Sequence, residues 1–157
     1  MPFPRSAGVL LHPTSLPGGH GIGDLGQSAY AFVDFLERAG MGLWQILPLG
    51  PTGAANSPYQ SLSSFAGNPL LISLDKLAEQ GLLKSTQLMS ESFGDGAVQF
   101  DRVRTFKEKQ LKNAFDAFEA GKGKSVFRDG FDTFIKDEAA WLDDFALFVA
   151  LKRHYHG

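Results

Sequence analysis

The sequence predicts an α/β fold that opens as strand, helix, strand and then continues into a mainly helical region. Three observations carry this. Two short apolar runs, Gly8-Val9-Leu10-Leu11-His12 and Leu43-Trp44-Gln45-Ile46-Leu47, are each followed by a proline. Residues 27–39, between them, place apolar side chains at helical spacing. The composition also changes near Pro69: all 8 prolines and most of the 18 glycines lie at or before it, and long amphipathic stretches follow.

The first run has the length of a strand and is bounded by Gly and Pro, so it reads as a buried strand. In residues 27–39, Ala29, Phe32, Val33 and Leu36 form one apolar stripe, and Gly40 supplies a stop signal. The second run reads as another strand, ended by Pro48. A βαβ unit of this kind favours parallel strands with the helix packed outside them. The predicted boundary divides a strand-and-loop region, 1–70, from a mainly helical region, 71–157.

Three helices are predicted in the second region. Val103, Phe106, Leu111, Ala114 and Phe118 give an apolar stripe, with Lys107, Glu108, Lys112 and Asp116 placed opposite it. Phe127, Phe131, Phe134 and Ile135 mark a second helix. Residues 138–153 mark a third, in which Trp141, Leu142, Phe145, Phe148 and Val149 give the pattern of burial on more than one face. No internal repeat or low-complexity tract is present.

The bulk numbers exclude several classes. At 157 residues the chain has the size of one domain, and at 43% hydrophobic it can build a core. A net charge of −2 and a pI of about 6.0 give no electrostatic reason to expect nucleic acid or an anionic membrane as partner. With no cysteine, disulfides and thiolate metal sites are excluded, and a reducing compartment fits. The opening MPFPRSAG has no apolar run of a signal peptide, and no stretch approaches the roughly 20 apolar residues of a membrane span. A soluble cytoplasmic protein is expected.

One motif is a decoy. Gly21-Ile22-Gly23-Asp24-Leu25-Gly26 matches the dinucleotide fingerprint G-x-G-x-x-G by letter. In that site the glycines follow the strand directly, whereas His12 to His20 intervene here. The second strand also ends in Leu47-Pro48-Leu49-Gly50, without the required carboxylate. The expected role is a tight loop that turns the chain into its first helix, with Asp24 bracing it.

The loop after the second strand is the most informative. Ser57-Pro58-Tyr59-Gln60-Ser61 places hydroxyls, an amide and an aromatic ring in five residues. A sugar offers apolar C–H faces to such a ring and hydroxyl edges to Ser and Gln. Pro58 stiffens the segment and lowers the ordering cost of binding. By composition alone, an ordinary Ser/Pro turn accounts for the same residues.

Three blocks together carry a resemblance: SAGVLLHPTSLPGGHGIGDLG, then LWQILPLGPTG, then SPYQSLSSFAGNPLLISLDKLAEQGLL. They are similar to the opening of the amylomaltases, the 4-α-glucanotransferases of glycoside hydrolase family 77. WLDDFALFVALKRHYHG resembles a further stretch of that family. The resemblance implies the start of a (β/α)₈ TIM barrel, its first two or three strands, with a mainly helical inserted subdomain at 71–157. It implies transfer of α-1,4-glucan segments to the 4-hydroxyl of another glucan or glucose by a retaining double displacement. Two carboxyl groups about 5–5.5 Å apart serve that chemistry. It places Ser57 and Tyr59 at the donor sugar sites, with Gln60 and Asn68 in the same string, and gives His12, Thr14 and Ser15 a supporting role. Maltooligosaccharides and starch- or glycogen-type glucans are the implied partners; no metal or organic cofactor is implied.

The family's catalytic Asp, Glu and Asp are expected beyond Gly157, so none is assigned in this chain. Asp143 and Asp144 are successive helix residues that point apart and make no dyad. His154 and His156 flank Tyr155 at a solvated end rather than a metal site. A barrel needs about 250 residues, so the chain is expected to be part of a larger enzyme and inactive by itself. A non-catalytic α-glucan-binding module is the alternative. A third reading treats residues 101–156 as a bundle whose apolar faces bind a partner helix.

Overall fold

The computed structural model describes residues 5–53, 55–94, 96–123 and 126–155, with side chains in the last span from 128 onward. The side chain of Phe127 and all of His156, both named above, lie outside the described residues. β1 (Gly8–Leu10), α1 (Gln27–Arg38) and β2 (Leu43–Gln45) form the expected βαβ unit. The strands are parallel, with Gly8 opposite Leu43, Val9 opposite Trp44 and Leu10 opposite Gln45. The Leu11 N–H adds one bond to the Gln45 carbonyl at 3.0 Å.

Both strands are shorter than their apolar runs. After Leu11 the chain enters a 3₁₀ turn at Pro13–Ser15, so β2 beyond Gln45 finds no partner. The expected burial also fails: Leu10, Leu43 and Ile46 are exposed. Each strand has one neighbour among the described residues, and α1 packs on the face that carries Trp44. On that face the Phe32 ring meets Trp44 edge-on at 5.0 Å, and the Trp44 indole N–H donates to the Leu11 carbonyl at 2.7 Å. Ala29 and Leu36 are buried beneath α1, whereas Val33, placed in the stripe by its spacing, is exposed.

α1 ends as its sequence requires. Gly40 takes φ +66°, and the Met41 N–H returns to the Leu36 carbonyl at 2.9 Å. This is the left-handed cap for which glycine has no Cβ penalty.

The helical region holds α2 (Leu74–Glu79), α3 (Ser85–Leu88), α4 (Phe100–Glu119), α5 (Val126–Asp137) and α6 (Leu142–His154). The two short helices have too few residues for a periodic stripe to mark them. Two apolar clusters form around α4. Leu74, Leu83, Leu88, Phe106 and Ala114 make one; Ile22, Leu70 and Val103 make the other.

α4 and α6 also depart from the sequence expectation. The sequence pattern puts Lys107 opposite the α4 stripe, yet it is fully buried, 0% exposed. It stands four residues after Val103, one helical turn along the same face, with Phe106, Gln110 and Ala114. Its ammonium is satisfied there: it donates to the Leu70 and Ile72 carbonyls at 2.7 and 2.9 Å and to Asp24 Oδ2 at 3.2 Å. The pattern of α6 predicts burial on more than one face; no residue in it is buried. It also begins at Leu142 rather than 138, because residues 138–141 form a turn in which the Trp141 indole N–H donates to Glu138 Oε2 at 2.5 Å. Its apolar residues point in all directions, and packing engages mainly the Trp141–Phe145 side.

Candidate functional site

The loop that leaves β2 is closed on itself by backbone bonds. The Leu62 N–H donates to Pro51 O at 2.9 Å, Gly53 N–H to Gln60 O at 3.1 Å, and Asn68 N–H to Leu49 O at 2.7 Å. Thr52 and Ser61 form an isolated antiparallel bridge within it. Between the two arms lies a groove of about 460 Å³ whose walls include Pro48, Leu49, Tyr59, Ser63 and Phe65. Tyr59 and Phe65 are 74% and 72% exposed, a cost that only a ligand or a further surface would recover. Phe65 is stacked on Trp141, ring centres 5.9 Å apart and planes 17° from parallel. Ser63 Oγ accepts the Phe65 and Ala66 N–H groups at 3.1 and 3.0 Å, which fixes the turn that carries Phe65.

Two other hollows, of about 610 and 710 Å³, lie along the glycine loop and beside His20. They are larger, but neither is walled by an exposed aromatic ring. The groove therefore has the combination that suits a sugar: open ring faces, serine hydroxyls and a braced backbone. None of its lining residues is a carboxylate.

Of the four residues named from the sequence, only Tyr59 lines the groove. Ser57 is half-buried, and its carbonyl accepts the Gln60 N–H at 3.1 Å, closing the turn around Pro58 and Tyr59. Gln60 is exposed and contributes its backbone to Gly53. Asn68 is buried; its Oδ1 accepts the Leu70 N–H at 3.0 Å and caps the 3₁₀ turn Pro69–Leu71. Asn68→Ala should lower stability by about 1 kcal/mol, and Asn68→Asp, which keeps the acceptor, should lose less; chemical denaturation of the two variants checks this. Phe65 was not singled out in the sequence. Its signal was an aromatic residue inside a Ser/Gly segment, Ser63-Ser64-Phe65-Ala66-Gly67.

The first loop meets the groove wall at Pro48. His12 Nδ1 lies 2.7 Å from Thr14 Oγ1 and accepts the Thr14 N–H at 3.3 Å, which puts the proton of the neutral ring on Nε2. Burial lowers the His12 pKa, and the Pro48 carbonyl offsets part of this. Among the described residues Nε2 has no partner within normal hydrogen-bond geometry, so the Pro48 contact is a weak one. Ser15 is exposed at the end of its turn.

The glycine loop is structural. Asp24 Oδ1 accepts the Gly26 N–H at 2.9 Å, so a carboxylate already occupies the start of α1, where a dinucleotide site needs a phosphate. A Cβ on Gly23 would collide with the Pro13 carbonyl and lie 2.6 Å from the Leu16 carbonyl, so the two loops pack backbone to backbone. Asp143 and Asp144 are exposed in the first turn of α6, where they complement the helix dipole. Among the described residues no group of three or more His, Cys, Asp or Glu could hold a metal ion. None of the described helices is long and apolar enough to cross a membrane.

The groove thus lies on the side of an α/β unit where post-strand loops gather, the usual ligand side of such folds. The sequence profile of the 4-alpha-glucanotransferases, glycoside hydrolase family 77, matches residues 11–157, and the chain belongs to that family. The 4-alpha-glucanotransferase of Thermus thermophilus is 48% identical over 157 residues, 100% of this chain and 31% of the relative. That of Synechocystis is 46% identical over 154 residues, 98% of this chain and 30% of the relative. The amylomaltase from Streptococcus agalactiae in complex with acarbose superposes with a TM-score of 0.88 at 39% identity, covering 98% of this chain and 30% of that one. The chain therefore spans about 30% of the length of the proteins it matches.

Proposed function

We propose that this chain is the N-terminal part of a 4-α-glucanotransferase, and that the groove beside Tyr59 holds part of its α-glucan substrate. The observation that carries the reading is the exposed Tyr59 ring on a braced groove, in a chain of this family. In the whole enzyme, carboxylates outside this chain perform the retaining double displacement that moves an α-1,4-glucan segment to a 4-hydroxyl. Tyr59 covers a sugar face. Ser57 and Gln60 hold the turn that presents the ring and border the sugar, and Asn68 anchors the far arm of the loop. Residues 1–70 begin a (β/α)₈ barrel, and 71–157 form a helical insertion. The exposed faces of β1, β2 and α6 pack on the remainder of that barrel, and the protein works in the cytoplasm.

The test is a titration of maltotriose and longer maltooligosaccharides into the chain and into Tyr59→Ala, followed by NMR. Weak binding is expected for the parent chain, reduced about tenfold, or ~1.4 kcal/mol, by the substitution. Equal binding by both would remove Tyr59 from the site. The same chain incubated with maltotriose should yield no longer or shorter oligosaccharides. Tight, Tyr59-dependent binding without turnover would instead favour a self-sufficient glucan-binding module.

A further inference from the structure

α4 lies outside the groove, yet one of its side chains reaches the groove loop. Arg104 Nη2 donates to Asn56 Oδ1 at 2.6 Å, a contact between residues 48 positions apart. Asn56 directly precedes Ser57-Pro58-Tyr59 and has φ +54°, the only non-glycine residue with positive φ among those described. Asparagine tolerates that left-handed conformation better than most residues, but a side chain there still needs support. The Asn56 N–H donates to the Gly53 carbonyl at 3.1 Å, and Gly53 and Gln60 close the neck of the same turn. The strained residue, the neck and the aromatic tip are therefore one short unit. The Arg104 guanidinium ties this end of the loop to the helical region.

We infer that Arg104 is a positioning residue for the glucan groove: through Asn56 it fixes the turn that presents Tyr59. The inference rests on the proposed glucan site for its functional consequence, though not for the brace itself. The guanidinium holds the carboxamide by a charge-assisted bond, stronger than a neutral one. With the bond intact, the Tyr59 turn is ordered before a sugar arrives, and binding does not have to order it.

Three variants test this: Arg104→Ala, Asn56→Gly and Asn56→Asp. Asn56→Gly deletes the acceptor while allowing positive φ, and it leaves α4 untouched should Arg104→Ala disturb that helix. Asn56→Asp keeps Oδ1 and should behave like the parent. The first readout needs no sugar: hydrogen exchange at the Gly53 and Gln60 amides should quicken about tenfold in Arg104→Ala and Asn56→Gly. Unchanged exchange in both overturns the brace. The second readout is maltotriose affinity by NMR, which should fall about fivefold in the same two variants and recover in Asn56→Asp. Quickened exchange with undiminished affinity overturns the positioning role. Absence of sugar binding by the parent chain overturns the glucan reading, and with it the functional half of this inference, whereas the exchange result still decides the brace.

Discussion

Lys107→Ala should destabilise the fold by about 3–5 kcal/mol, the scale measured when one partner of a buried ion pair is removed. Three groups depend on that ammonium. The Leu70 and Ile72 carbonyls would lose their donor, and Asp24, itself little exposed, would lose its counter-ion. Lys107→Met fills much of the volume but leaves the same acceptors unpaired, so it should recover only the packing share. Urea unfolding followed by circular dichroism measures both.

The pH dependence has a definite sign. Burial lowers the Lys107 pKa, and the neighbouring Asp24 carboxylate offsets part of that. The folded chain therefore releases this proton at lower pH than the unfolded chain, whose lysine titrates at about 10.4. Below the folded value both states hold the proton, and the cost of burying the charge is present in full. Between the two values the unfolded state binds more protons, so stability attributable to this group rises with pH. The difference in unfolding free energy between the parent and Lys107→Met should move in the parent's favour as pH climbs through that window. A flat difference would contradict the buried-charge account.

Phe106→Ala should have a comparable effect, about 3–5 kcal/mol, because a large buried ring leaves a cavity that cannot fully collapse. The ring joins the Leu74, Leu83, Leu88 and Ala114 cluster. It also meets Phe93 edge-on at 5.5 Å and His20 at 6.0 Å. Phe106→Leu, which keeps most of the volume, should lose much less. Against a domain stability of about 5–15 kcal/mol, either alanine variant leaves little margin. A midpoint of thermal unfolding close to that of the parent would mean that this cluster is not the centre of the core.

Much of this fold could be read from the sequence, and what could not has identifiable causes. The βαβ opening followed from proline-bounded apolar runs and the Gly40 stop, both local signals. Strand length did not, because a ladder ends where its partner turns away, and Pro13–Ser15 makes that decision for β2. Lys107 is hidden from a reading in which charge marks the surface; its i, i+4 relation to Val103 puts it on the buried face. α6 is the opposite case, since apolar content shows that a surface needs covering but not that this chain covers it. At the groove, Tyr59 was legible from its loop composition. The Asn68 cap is a local signal, an Asn directly before Pro69, whereas the Arg104–Asn56 bond depends on tertiary approach, which no local pattern reveals.

The small cluster of Ile22, Leu70 and Val103 has a consequence for how the molecule comes apart. Its members belong to the glycine loop, the end of the groove loop and the long helix, three segments far apart in sequence. Composition draws a line near residue 70, but this cluster straddles it. Fraying on one side exposes apolar surface on the other, which couples the two sides in a single melting event. An engineer who cut the chain at that line would divide a shared interior, and each piece would carry half of a contact that neither could complete.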